Sequence, residues 1–285
     1  MGLKTAPRKS PSSEYRKWRN LAFLMALLLV GTVGGSSYFL NAQGIDPVEF
    51  FSNMANPSMR FVKVQPGLRK EQIADLYGRT LAWNDQNKTA FLNAAGLGSS
   101  SDVDGYYLPG SYWFSKDAGG AEVGKDMVDN FNKSVQKNIT KSGAANLKKN
   151  INIDTAVRIA SIIQREAAGK NDMRLISGII WNRMFKGMNL QMDATLQYAK
   201  GTSTDWWPTV KPEDKDLDSP FNTYKYKGLP PTAIANPSIE AIEAAYNPQN
   251  TSCLFYIHDK NRQIHCSSSY EVHKENIQTY LIGRK

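Results

Sequence analysis

The chain of 285 residues has only two cysteines, three histidines and no charged side chain between Asn20 and Ile45. Each scarcity excludes something. There is no phosphate loop of the form G-x-x-x-x-G-K-S/T and no glycine fingerprint following a strand, which argues against nucleotide chemistry. His258, His265 and His273 lie 7 and 8 residues apart, matching neither a helical face nor a zinc-ligand spacing. Cys253 and Cys266 add no C-x-x-C pair. No metal and no other cofactor is expected. "SSSY" at 267–270 offers hydroxyls without the elbow motif that a serine nucleophile needs.

What fills the uncharged stretch is "LAFLMALLLVGTVGGSSYFL", 20 positions from Leu21 to Leu40. At about 1.5 Å per residue a helix of that length reaches about 30 Å, the thickness of a bilayer core. The run exceeds the h-region of a signal peptide and lacks a good small-x-small cleavage site, so residues 20–40 are read as a transmembrane helix. Of the formal charge of +9, +5 falls in residues 1–19, where Lys4, Arg8, Lys9, Arg16, Lys17 and Arg19 face Glu14 alone. This basic flank is expected to stay cytoplasmic, leaving residues 41–285 outside a single-pass cytoplasmic membrane anchor. The rest of the charge is spread thinly and says little about nucleic acid. On the outer side a disulfide can persist. "LFYIHDKNRQIH" between the cysteines reads as a hairpin turning near Asp259 and Lys260. That pattern fits both a cross-strand disulfide and two small buried thiols and leaves the choice open, with the thiols slightly ahead.

The remainder predicts an α+β fold. Residues 41–59 read as a juxtamembrane connector, 60–145 as a small glycan-binding subdomain with a linking helix, and 146–285 as a larger catalytic domain. "MRFVKVQPGL" alternates and breaks at Pro66 and Gly67, as a strand and turn would. Ile73, Leu76, Tyr77 and Leu81 recur at helical spacing, and "NKTAFLNAAG" predicts a second helix stopped by Gly96. "DGYYLPGSYWF" is the expected return strand, its rings assigned to core. Val123, Met127, Val128 and Phe131 mark an amphipathic helix, and the polar "TKSGAANLKKN" places a boundary near 145.

In the second half a helix is expected over 153–168, with Ile153, Ala156, Val157, Ala160, Ile163 and Ala167 as its apolar stripe and Gly169 as its stop. Glu166 falls about 60° beyond that stripe, beside Ile159, Ile162 and Ile163, whereas Arg158 and Arg165 project to the far side. A glutamate against isoleucines is desolvated, which raises its pKa toward the range of a general acid. Leu175, Ile176, Ile179, Ile180 and Met184 should face inward from a helix over 173–186 that ends at Gly187. Asp193 is placed as the N-cap of a short helix, and Ser238 as the cap of another after a proline-stiffened loop. One carboxyl of this kind suits glycosidic cleavage. Ordinary glycosidases need two, but a muramyl sugar can supply its own C6 hydroxyl as nucleophile.

Four ordered motifs carry a resemblance: "ASIIQREA", "IIWNRM", "GMNLQMDATLQYA" and "SPFNTYKYKGLPPTAIANPS". They resemble the "ASIVEKET", "FxNRL", "GMxLQxDPTVxYA" and "SPYNTYxxxGLPPGPIxNPG" of the endolytic murein transglycosylases, the MltG or YceG-like family, over residues 60 to 280. The resemblance implies cleavage of peptidoglycan glycan strands between N-acetylmuramic acid and N-acetylglucosamine, leaving 1,6-anhydromuramyl ends and terminating nascent strands, with peptidoglycan synthases as partners. It implies Glu166 as acid and base, a LysM-like module over 60–115, and Asn182, Gln191, Asp193, Thr195, Asn222 and Tyr224 around the substrate cleft. The chain departs from the pattern at Ala194, where the family has proline, at Gln164, where it has an acid, and at Asp104 and Gly110. His273 keeps the family's histidine position with Val272 and Lys274 as unusual neighbours.

Overall fold

A computed structural model describes residues 35–41, 46–94, 104–141 and 151–283. Most of the span expected at 20–40 lies outside the described residues; its last part, 35–40, is helical, and the helix includes residue 41. Among the described residues no helix is long and apolar enough to cross a membrane. The chain divides into a unit of residues 1–59 and a unit of residues 60–285. Within the first, Asp46 caps helix α1 (Pro47–Ala55) by accepting from the amides of Val48 and Glu49.

The second unit starts as its alternation and periodicity require: strand β1 (Met59–Val64), helices α2 (Lys70–Thr80) and α3 (Asp85–Leu92), and strand β2 (Gly110–Ser115), which pairs with β1. Ile73 and Tyr77 are buried as expected. Of the expected return strand "DGYYLPGSYWF" only the part from Gly110 is strand, and four of its five rings are core. Tyr106, Tyr107, Tyr112 and Phe114 are buried, with Phe91 4.3 Å from Tyr107 between ring centroids, whereas Trp113 is only partly buried and packs on the exposed Phe61. Helix α3 ends at Leu92, capped at Asn93, four residues before the expected stop, so Gly96 does not end it; the Asn93 amide already closes on Thr89 and Phe91. Helix α4 (Gly120–Lys141) buries Val123, Met127, Val128 and Phe131. The boundary expected near 145 falls in 142–150, outside the described residues.

Helix α5 (Ile153–Glu166) is the centre of the second half, with Ile159, Ile162 and Ile163 fully buried. Burying a side chain of that size contributes about 1.5–3 kcal/mol. Gly105 makes the close approach from the first half: at φ +90°, an added Cβ would lie 2.3 Å from Val157. Helix α6 (Lys170–Phe185) packs on α5, and α8 (Ile239–Tyr246), capped by Ser238 as expected, packs on both. Gly187, at φ +63°, follows the last turn of α6 in the left-handed conformation common at helix ends. Between them lie α7 (Asp193–Lys200) and the long loop 201–238, which holds one short 3-10 turn, Pro212–Asp216. Strands β3 (Phe255–His258) and β4 (Ile264–Ser267) form an antiparallel hairpin with Tyr256 opposite Cys266, followed by α9 (Tyr270–Asn276).

One expectation in this half is settled against its favoured alternative. Cys253 and Cys266 form a disulfide, so the thiol alternative does not hold; Cys253 precedes the ladder, and its Cα lies 5.8 Å from that of Cys266. Arg158 and Arg165 leave α5 on its far side as expected, and the 201–238 loop covers that side. Arg158 donates to the Pro230 carbonyl, and the Arg165 guanidinium lies 3.8 Å from the Trp207 ring centroid.

Candidate active site

The site begins where α5 stops. The helix was expected to run through 168 to a glycine stop, but Ala167 is already extended (φ −68°, ψ 134°) and Gly169 serves instead as the first cap of α6. The tight reversal into α6 has no room for another turn: the Ala168 amide is bound 3.2 Å from Asp172 Oδ2. Glu166 is therefore the last residue of its helix, half-buried, at the negative end of the helix dipole. Both carboxyl oxygens are held. The Ala194 amide donates to Oε1 at 3.1 Å and the Tyr256 hydroxyl donates to Oε2 at 2.7 Å.

Burial raises the Glu166 pKa above its ordinary value. The bonds from Tyr256 and Ala194 oppose that rise; the charge of Asp193 adds to it, and His258 opposes it. Burial, above all, also keeps the Tyr256 phenol well above its usual range, so it is a neutral donor. Burial favours the protonated carboxyl here, and the carboxylate, once formed, has two donors waiting. That is the requirement of a group that serves first as acid and then as base.

Glu166 lies in a cleft of about 440 Å³ whose wall includes Gln191, Met192, Asp193, Lys215, Tyr224, Phe255, Tyr256 and His273. Of the residues singled out in the sequence, Glu166, Gln191, Asp193 and Tyr224 line this cleft. Gln191 has φ +54° and accepts through Oε1 from Arg183 Nη1. Asp193 is not an N-cap. Met192 holds that position without a side-chain cap, and its own amide donates to Thr223 Oγ1. Asp193 is the first helical residue of α7 and accepts from the Tyr224 hydroxyl at 2.5 Å. The role of capping the next amide, that of Ala194, falls to Glu166 itself.

Thr195, Asn222 and Asn182 are brought near but work behind the wall. Thr195 is fully buried, donating to the Met192 carbonyl and pairing with Thr223. Asn222, also fully buried, donates to the carbonyls of Lys215 and Leu217 and accepts from the Tyr224 amide, which fixes the loop. Asn182 donates to the carbonyls of Thr251 and Cys253, clamping the chain as it enters β3. His273 stands in the wall, its ring 5.3 Å from Phe255, with its pKa lowered by burial and by Arg183.

Tyr256, Arg183, Thr223 and the Ala194 amide were not anticipated. Arg183 sits inside the "IIWNRM" motif and donates to the carbonyls of Leu254, Asn189 and Leu190, a role its position in the motif would have suggested. Tyr256 has no such signal, since its bond to Glu166 joins residues 90 apart in sequence. Among the described residues no group of three His, Cys, Asp or Glu is placed to hold a metal ion.

The model of the YceG-like family matches residues 22–279. The chain belongs to this family. It is 32% identical over 184 residues to a protein of Bacillus subtilis named endolytic murein transglycosylase, covering 64% of this chain and 49% of that one. A Streptococcus pneumoniae protein of the same name is 26% identical over 187 residues, covering 65% of this chain and 33% of the relative. The chain thus spans about half the length of the first relative and a third of the second. A crystal structure of a YceG-like protein of Listeria monocytogenes superposes with a TM-score of 0.66 at 22% identity, covering 81% of each chain, which shows a shared fold.

Proposed function

We propose that this YceG-like protein is a lytic transglycosylase that cuts peptidoglycan glycan strands internally, with Glu166 as both acid and base. The observation that carries this reading is the buried carboxyl of Glu166, at the end of α5 and inside the cleft, gripped by two donors that favour its charged form, while the other carboxyl of the lining, Asp193, is exposed and bound to Tyr224. The names of the relatives support the same class of reaction.

In the first step Glu166 gives its proton to the oxygen between the muramyl and glucosaminyl residues as the bond from C1 to that oxygen breaks. The resulting carboxylate is stabilised by Tyr256 and Ala194. It then takes the proton of the muramyl C6 hydroxyl while O6 bonds to C1, which closes a 1,6-anhydro ring and consumes no water. Asp193, Tyr224, Phe255 and His273, all in the cleft lining, are the groups positioned to touch the sugars. Aromatic faces suit sugar stacking, and the small β1–β2 module with its helices is read as a LysM-like second contact for the strand. The uncharged segment 20–40 anchors the chain, holding the cleft beside strands as synthases release them.

Digestion of purified glycan strands by the full chain in detergent, with product ends identified by mass, tests this. Anhydro ends are expected, reduced about 10²- to 10⁴-fold in rate by Glu166→Gln. Reducing ends would identify a hydrolase, and no cleavage by either protein would identify a wall-binding scaffold.

A further inference from the structure

We propose that Tyr256 is a positioning residue of this site: its hydroxyl fixes the orientation of Glu166 through Oε2 and, by preferring the carboxylate over the acid, controls how readily Glu166 gives up its proton. This rests on the acid and base role given to Glu166 above.

The geometry is specific. The hydroxyl is 2.7 Å from Oε2, with Met192 Sδ, 3.5 Å away, as its other polar neighbour. A tyrosine there for packing alone would not need an oxygen aimed at the carboxyl. Its strand is also held more firmly than a four-residue hairpin requires. Asn182 binds the carbonyls of Thr251 and Cys253, Arg183 binds that of Leu254, and the disulfide ties Cys253 to Cys266, the residue opposite Tyr256. Three side-chain hydrogen bonds and one covalent link therefore converge on the segment that carries this hydroxyl.

Removal of a hydrogen bond to a charged acceptor weakens the charged form. Without the hydroxyl, Glu166 holds its proton to higher pH, still has the Ala194 amide on Oε1, and is freer to rotate. The other charged or titratable groups facing the pair stay in place: Asp193 on α7, His258 on β3, Arg183 on α6, Arg165 on α5, and Tyr224 on the loop. They form a constant background for a change at Tyr256.

The sign follows. Cleavage needs the protonated acid, so activity falls as pH rises through the Glu166 pKa. Tyr256→Phe should move that basic limb up by roughly one pH unit. It should lower kcat about 10- to 100-fold with little change in KM. Replacing Tyr256 with 3-fluorotyrosine, a stronger donor of nearly the same shape, should move the limb down. The series Phe, Tyr, 3-fluorotyrosine is measured in the full chain, both as pH profiles and as the titration of the Glu166 carboxyl band in isotope-edited infrared spectra without substrate. An ordered shift in both supports the proposal. A limb and a band that stay fixed across Tyr and 3-fluorotyrosine overturn it, even if Tyr256→Phe fails to fold. A failure of the transglycosylase reading would show separately, as missing anhydro ends from the unaltered chain while the carboxyl band still reported the Tyr256 bond.

Discussion

Residues 60–141 and residues 153–283 share one hydrophobic core but are held by different means. In the first region the contacts are rings: Tyr77, Trp83, Phe91 and Phe114 meet at centroid distances of 5.5 to 5.9 Å, with few polar bonds among them. In the second, isoleucines of α5 and α6 supply the core, and asparagine, arginine and threonine side chains are spent on backbone groups around the cleft. Apolar burial is non-directional, whereas a hydrogen bond weakens steeply when its angle is lost. A region that does not have to hold the reacting carboxyl can rely on rings. One that must present Tyr256 and the Ala194 amide to a single carboxyl needs directional ties.

The largest effect on stability is therefore expected in the first region. Phe91 is fully buried against Tyr77, Trp83 and Tyr107. Phe91→Ala should cost about 3–5 kcal/mol, measured by denaturant unfolding, through lost burial and the cavity left behind. Cleavage per folded molecule should be unchanged when measured well below the unfolding midpoint. A large fall in kcat at full occupancy of the folded state would break the comparison, because it would mean that the ring core also positions the site.

Asn182→Ala should give the converse, smaller in stability and larger in activity. Two carbonyls would lose their donor, at a cost of about 1–3 kcal/mol. The chain entering β3 would loosen, so kcat should fall with KM nearly constant, and the pH limb should drift in the direction of Tyr256→Phe. If KM rises and kcat does not, Asn182 touches the glycan directly and is not the clamp described here.

Much of this contrast was legible in the sequence, and what was not has physical reasons. The apolar faces of α2, α4, α5 and α6 repeat at helical spacing, so most of their buried residues could be named from the chain alone; Leu76, Ile153, Leu175 and Met184 lie at the edges of those faces and are only partly buried, while Met173 is buried without having been named. Glu166 could be placed beside Ile162 and Ile163 for the same reason. Helix ends were less legible: Gly169 reads equally as the stop of one helix and the first cap of the next, and the reversal chose the second. Asp193 carries the right chemistry for an N-cap, but the helix starts one residue earlier, with the Met192 amide bound to Thr223, 31 residues on, and the Asp193 carboxylate bound to Tyr224. The donors to Glu166 come from residues 194 and 256, one of them a backbone amide that any residue except proline supplies. The departure at Ala194 is informative in retrospect, since a proline there would have no N–H to give.

The smallest effect is expected from the exposed polar surface of the first region. Lys125 Nζ lies 2.6 Å from Asp129 Oδ2, one turn apart on α4, and that bond raises the lysine pKa and lowers the aspartate one. Despite the close geometry, both side chains sit in water, where screening and the entropy of ordering a long lysine offset the attraction. Lys125→Ala should leave the unfolding midpoint and the cleavage rate unchanged within error at physiological salt, even though alanine itself favours a helix slightly. A clear loss of stability that vanished at high salt would show that the ring core of residues 60–141 depends on its charged surface, and the division between burial in one region and directional bonds in the other would have to be redrawn.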